Sequence, residues 1–398
     1  MAPERFRGMQ LQEEFDTYDG CEAHLSVGLK FPKFLTRRSK IIEIVTAKDI
    51  IFALSQSGLC SAFDRVTNKR IAFFNLSPDE VIRSMLYNKY NDSLITVSIY
   101  SSDSYGSLKC RATPIEYVRR NELDAGFPIF ESESLKWPGF VEFDRVNGKV
   151  LIYAAQDGQG FMLVIYDRTP SYVSLKILSI VDGKPIKSFK HLLHPNKKVD
   201  FIDHFNEKLL VKQECENSQI LGVWNSELIE INDTKLVNPQ ALVVLHERNL
   251  ILIFQNRRAA VWNFQGELVT SFEDHLLWHD GVCSEKNIYI TKDEGRIISY
   301  CKSEAVEDDV TPIGSINMSE IMTGKCIAKI AANNPTISVA PRRNGCNERS
   351  SVSCTPPEAL KDVTAVLYDE DRNEIYTGNK HGLLHVWSNS SGFIFGKL

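Results

Sequence analysis

Residues 363–389, VTAVLYDEDRNEIYTGNKHGLLHVWSN, read as three short strands joined by two tight turns. Val363, Ala365 and Leu367 alternate with polar or small neighbours, the pattern of a half-buried strand. Polar residues 369–373 make the first turn. Asn379, Lys380, His381 and Gly382 make the second with residue types that tolerate a positive φ. A meander this short cannot bury both of its faces by itself, so it requires neighbours of the same kind.

The rest of the chain supplies them. From Ile41, the runs IIEIVT, DIIFALS, GLCSAFD and KRIAFFN form one four-strand unit. VIRSMLY, SLITVSIY, SLKCRAT and FPIFES form the next, with an insertion near 114–125. Over 138–190, PGFVEFD, KVLIYAAQ, FMLVIYD and SLKILSIVDGKPIKSFK fit either one five-stranded unit or two units with strands missing between them. Two regular units follow, VDFIDHF to ELIEIN and ALVVLHE to ELVTSFEDH. A weaker one then spans NIYITKD, RIISYCK, an acidic insertion and GKCIAKI. Residues 331–359, rich in Asn, Ser, Pro and Arg, read as a disordered insertion. The units recur every ~35–50 residues, the spacing of propeller repeats. Almost no helical periodicity lies between them, which excludes a parallel α/β architecture.

Val363-Thr364-Ala365, Tyr376-Thr377-Gly378 and Leu384-His385-Val386-Trp387-Ser388 together resemble a WD40 (transducin-type) repeat. Trp224-Asn225, Trp262-Asn263 and Phe63-Asp64 stand where that family has Trp-Asp, as does Leu178-Ser179; after Trp387 the Asp is replaced by Ser388. The resemblance covers most of residues 41–390, most strongly 199–273 and 363–389. It implies an all-β, WD40-like β-propeller of about seven blades, or eight with one or two incomplete, closed by strands from both chain ends. Residues 1–22 are expected to be a flexible segment and 23–398 a single propeller, with residues 24–34 (HLSVGLKFPKF) as the closing strand. Phe63, Asp64, Trp224, Trp262 and Trp387 are expected to be the structural repeat signature, their aromatic rings packing between neighbouring blades.

Composition narrows the setting. Hydrophobic content of 43% and charged content of 24% are those of a globular protein, and no apolar run reaches the length of a membrane span. The first residues, MAPERFRGMQLQEEF, lack the apolar core of a signal peptide. The nine cysteines contain no CxxC pair and predict reduced thiols. The expected location is therefore the cytoplasm or the nucleus. A net charge of −5 predicts no general attraction to nucleic acid or anionic lipid.

Catalytic patterns are absent: no GxSxG, no P-loop, no GxGxxG opening a helix and no HExxH. His275 and His279 are four apart but lack the intervening Glu and lie between strand units, so they read as loop histidines. The basic clusters at 37–40, at the end of 191–198 and at 342–343 read as solvated surface, with Ser39 and 346–355 open to phosphorylation. The Trp-Asp-x-Arg of cullin-ligase substrate receptors is missing from 224–227, 262–265 and 387–390. The sequence thus predicts a non-enzyme with no catalytic residue, cofactor, metal or small-molecule substrate. It would act as a scaffold binding protein or peptide partners through the top face and the loops at 114–125, 303–312 and 331–359. The alternatives are a propeller-fold hydrolase or lyase with its site in the central funnel, and recognition of a modified residue or phosphopeptide on the top face.

Overall fold

A computed structural model describes residues 3–17, 38–89, 91–103, 108–131, 151–154, 161–168, 173–179, 185–193, 199–205, 208–213, 219–222, 228–230, 241–245, 248–255, 258–263, 267–272, 288–302, 313–332 and 354–389. The chain is all-β, with a few helices of one turn or so, at Pro3–Arg7, Ile115–Arg119 and Pro356–Ala359. Among the described residues the strands pair into seven four-stranded antiparallel sheets. Six of them span 41–73, 80–131, 151–193, 199–230, 241–271 and 288–331. The seventh joins Val363–Asp369, Glu374–Asn379 and Leu383–Ser388 to Gln10–Asp16 from the other end of the chain.

Local chemistry sets the hairpins. In the 363–388 meander, Asp369 Oδ1 accepts from the backbone N–H groups of Asp371 and Arg372, both at 3.0 Å, and Asn373 takes a φ of 57°. Gly382 at φ 77° closes the second turn, where Asn379 Oδ1 accepts from the N–H groups of His381 and Leu383. A bulge recurs between the third and fourth strands of a sheet, at Ala62/Phe63, Ile177/Leu178, Val261/Trp262 and Met318/Ser319. Phe63, Leu178 and Trp262, the residues aligned by sequence, hold that same register position. One local build is repeated along the chain.

Among the described side chains, apolar layers pack neighbouring sheets face to face. One layer joins Phe52 and Leu54 of the 41–73 sheet, with Phe74 just after it, to Ile82, Met85 and Leu94 of the next. Another joins Ile41, Ile51 and Phe63 to Tyr376, Leu384 and Val386, so the first and last sheets are neighbours. A third joins Val366, Ile375 and Trp387 to Ile298, Tyr300 and Met318. A fourth joins Leu252, Phe254 and Phe272 to Ile288, Ile297 and Ile321. Several first strands of neighbouring sheets lie alongside one another. Ile41–Ala47 is flanked by Val363–Asp369 and Glu80–Asn88, Ile288–Ile290 lies beside Val363–Asp369, and Val199–Phe205 lies between Leu151–Ala154 and Ala241–Leu245.

Four expectations change. Residues 1–22 are not wholly flexible, because Pro3–Arg7 is helical, Gln10–Asp16 is a strand, and Phe6, Met9 and Leu11 are fully buried. The strand that completes the last sheet is therefore Gln10–Asp16, whereas 24–34 lies outside the described residues. Within 331–359, residues 354–359 are ordered: Pro356–Ala359 is a helix whose Thr355 and Glu358 form a capping box, and Ala359 is buried. In the 138–190 stretch, Leu151–Ala154, Phe161–Arg168, Val173–Ser179 and Pro185–Leu193 make one four-stranded sheet. The apolar run near 139–144 lies outside the described residues.

Candidate functional site

The signature positions divide by role. Phe63 is buried and its ring lies 4.9 Å from that of Phe15, in the layer between the first and last sheets. Trp387 is fully buried in the layer facing the 288–331 sheet, and its indole Nε1 donates to Thr377 Oγ1 at 3.0 Å. Trp262 is only half-buried, and Trp224 lies outside the described residues. Asp64 serves the backbone: its Oδ1 accepts from the N–H groups of Val66 and Thr67 at 2.7 and 2.9 Å. Asn263, at the equivalent place, accepts from Glu267 N–H at 2.8 Å. A short acceptor after the aromatic residue thus shapes the turn into the fourth strand.

The loops and clusters singled out in the sequence are mostly anchored or outside view. In the 114–125 insertion, Ile115 and Val118 are buried against the 41–73 sheet, and Arg119 forms an ion pair with Asp49. Arg38 pairs with Asp16, and Ser39 Oγ, half-buried, bonds Ser57 Oγ at 3.1 Å. Residues 303–312, His275, His279, 194–198 and 342–343 lie outside the described residues.

A polar network sits where the first and last sheets meet. Arg65 Nε and Nη2 donate to the two carboxylate oxygens of Glu374 at 2.9 and 2.7 Å, with both side chains nearly buried. Arg65 Nη1 continues to Asn68 Oδ1, and Asn68 Nδ2 to Glu13 Oε1, each at 2.7 Å. Burial opposes the guanidinium charge, but the Glu374 hydrogen bonds and charge outweigh it and hold the Arg65 pKa above its ordinary value.

A second cluster lies on the same strand pair. Glu14 and His385 are register partners between Gln10–Asp16 and Leu383–Ser388. His385 is fully buried, with Nε2 3.4 Å from Glu14 Oε2 and 3.4 Å from Cys354 Sγ. The three donor atoms lie within 4.8 Å of one another. Burial, reinforced by a hydrogen bond and charge from Glu14, pushes the Cys354 thiol up, so it is protonated at neutral pH. Thiol, imidazole and carboxylate are the donor types that bind borderline divalent metals. Sequence reasoning did not find this trio. Its members come from three distant segments and share no spacing motif, so only the pairing of the two chain ends brings them together.

A family model described as "Domain of unknown function (DUF7899)" matches residues 1–159 and 158–387. No curated protein matches the chain. Among solved structures, the crystal structure of the computationally designed Ika8 protein is similar, with a TM-score of 0.51 at 12% identity. The alignment covers 88% of this chain and 97% of that one, a likeness of fold alone.

Proposed function

This chain belongs to the DUF7899 family, whose description assigns no activity, and from that premise we propose that it is a closed, seven-bladed WD40-like propeller serving as a protein-interaction scaffold. The ring reading is supported by first strands that lie side by side from sheet to sheet, and by a last sheet completed from the opposite chain end. Closure removes the free sheet edges and apolar faces that an open stack would leave in solvent. The recurring bulge at Phe63, Leu178 and Trp262 supports WD40-type repeats.

The observation that carries the scaffold reading is the exposure of large apolar side chains on and beside an edge strand. Leu268 and Val269, on the outermost strand of the 241–271 sheet, are 54% and 38% exposed, and Met322 is 41% exposed. The turn carrying Met322 packs against that strand, since a Cβ at Gly324 would stand 2.4 Å from the Ser271 carbonyl oxygen. Exposed aliphatic and Met side chains around an edge strand suit a protein or peptide surface. The five described free cysteines fit a reducing compartment, cytoplasm or nucleus.

The test is affinity purification with quantitative mass spectrometry. Wild-type chain is compared with a Leu268→Lys, Val269→Lys, Met322→Lys variant, whose changes are all at exposed positions and whose folding is checked by circular dichroism. Partners depleted from the variant support the reading. An identical set of partners in both, or none above background in either, defeats it.

A further inference from the structure

We propose that Glu14, Cys354 and His385 form a zinc site that staples the N-terminal strand to the last sheet. The first ground is distance. Tetrahedral zinc bonds sulfur at about 2.3 Å, imidazole nitrogen at about 2.0–2.1 Å and carboxylate oxygen at about 2.0–2.2 Å, which places neighbouring ligand atoms roughly 3.3–3.6 Å apart. Nε2 to Sγ and Nε2 to Oε2 are both 3.4 Å. The separations are those of ligands around one ion.

The second ground is convergence. Cys354 Sγ and Glu14 Oε2 both approach the same nitrogen, Nε2 of His385. A Cys–His–acid relay would put the thiol on one ring nitrogen and the carboxylate on the other, so that the base is oriented by its second nitrogen. Here Nδ1 is buried with no hydrogen-bond partner among the described residues. A cation between the three atoms would take a lone pair from each of them.

The third ground is rigidity. Glu14 and His385 are fixed opposite each other in a strand pair. Cys354 immediately precedes Thr355, whose capping box with Glu358 starts a helix anchored by buried Ala359 and Leu360. Three elements thus hold the donors in place, and the fourth tetrahedral corner is left to water. The buried Glu14 carboxylate would be neutralised by the ion, which would bind only after displacing the Cys354 proton.

The experiment uses the full chain, stripped with chelator and reloaded. Zinc is counted after dialysis, affinity is measured by competition with a chromophoric chelator, and cobalt(II) substitutes for zinc as a spectroscopic probe. The expected result is one firmly held zinc per chain and a cobalt spectrum with tetrahedral d–d bands and thiolate-to-metal charge transfer. Cys354→Ser removes the charge-transfer band and weakens binding by more than the roughly 10–100-fold typical of an outer-shell change. Glu14→Gln keeps the band and weakens binding at least about tenfold. His385 is fully buried, so its replacement risks the fold; the other two variants, checked by circular dichroism, carry the test. Zinc also slows amide exchange over 10–16 in the wild type and not in Cys354→Ser. Folded wild type that retains no zinc, or zinc held equally by folded Cys354→Ser and Glu14→Gln, overturns the proposal and leaves a hydrogen-bonded trio.

Discussion

Arg65 and Glu374 are 309 positions apart and meet in a two-pronged ion pair that bridges the first and last sheets. Both side chains are nearly out of solvent, 12% and 10% exposed, so the pair's value depends on both partners being present. Replacing Glu374 with Gln leaves a buried guanidinium without its counter-charge and is expected to cost about 3–5 kcal/mol in urea unfolding. The double replacement Arg65→Met, Glu374→Leu removes both charges and is expected to recover most of that loss. Two single variants whose effects simply add would show that the pair is not coupled.

Thr377 and Trp387 lie diagonally across adjacent strands, where Trp387 is paired with Ile375 and Thr377 with His385, and the indole N–H is satisfied by the threonine hydroxyl at 3.0 Å. Both residues are fully buried. Thr377→Val keeps the volume and orphans the indole donor, which is expected to destabilise by about 1–3 kcal/mol. Thr377→Ser keeps the acceptor and loses one methyl, so it should retain the bond. Chemical denaturation of the two variants separates the hydrogen bond from the packing.

Gly378 marks a close approach of the last sheet to the first. A Cβ added there would lie 2.5 Å from Ile41 Cγ2, while Thr364 Oγ1 donates to the Ile41 carbonyl at 2.6 Å alongside. Gly378→Ala therefore forces the two sheets apart, with an expected loss of about 1–3 kcal/mol. Pairing it with Ile41→Val, which trims the opposing side chain, is expected to relieve part of the strain. Thermal unfolding of the single and double variants measures this directly.

The period-two runs and turn residues made the all-β class and most strand positions legible. Ile41–Ala47 through Lys69–Phe73 fall where IIEIVT, DIIFALS, GLCSAFD and KRIAFFN place them. The closing strand was not legible, for a physical reason. Leu11 and Phe15 are four apart, which in a regular strand puts them on one face. A bulge between Leu11 and Glu13 reverses the alternation, so Leu11 joins the layer toward 288–331 and Phe15 the layer toward 41–73. The intervening Gln12, Glu13 and Glu14 then read as a polar tail. Glu14 and Glu13 are polar because the joint itself is polar, through His385 and Asn68. A two-sided strand with its charges turned into a seam carries no period that a linear scan detects.

Asp293 illustrates the acid limb of stability. Its carboxylate accepts the Thr291 hydroxyl and the Gly295 N–H, and these bonds, the Thr291 bond foremost, hold its pKa below the ordinary Asp value. A depressed folded pKa contributes stability above the unfolded value of about 3.9, and that contribution is lost as pH falls through the lower folded value. Asp293→Asn is therefore expected to destabilise at neutral pH, by less than about 1 kcal/mol for so exposed a group. The difference from wild type should vanish below the folded pKa. Unfolding free energies measured from pH 7 down to pH 2 check the convergence; a gap that persists at the acid end would assign the effect to the turn's shape instead.

The contribution of the N-terminal strand can be separated from the rest of the chain. Phe6, Met9, Leu11 and Phe15 are all buried, three of them in the layer around Trp387 and the fourth against Phe63. At roughly 1.5–3 kcal/mol for each large buried side chain, their loss is comparable with the whole stability of about 5–15 kcal/mol of a typical domain. Removing residues 1–16 also bares the hydrogen-bonding edge of Leu383–Ser388. The shortened chain is expected to aggregate on gel filtration and to lose its cooperative thermal transition. A synthetic peptide of residues 1–17, added in trans, supplies both the edge strand and the buried side chains and should restore monomer and transition together. The same peptide with Leu11→Asp and Phe15→Asp keeps the backbone donors and removes the apolar anchors. Equal rescue by both peptides would mean that edge pairing alone seals the joint, and failure of both would place the stability of the last sheet elsewhere.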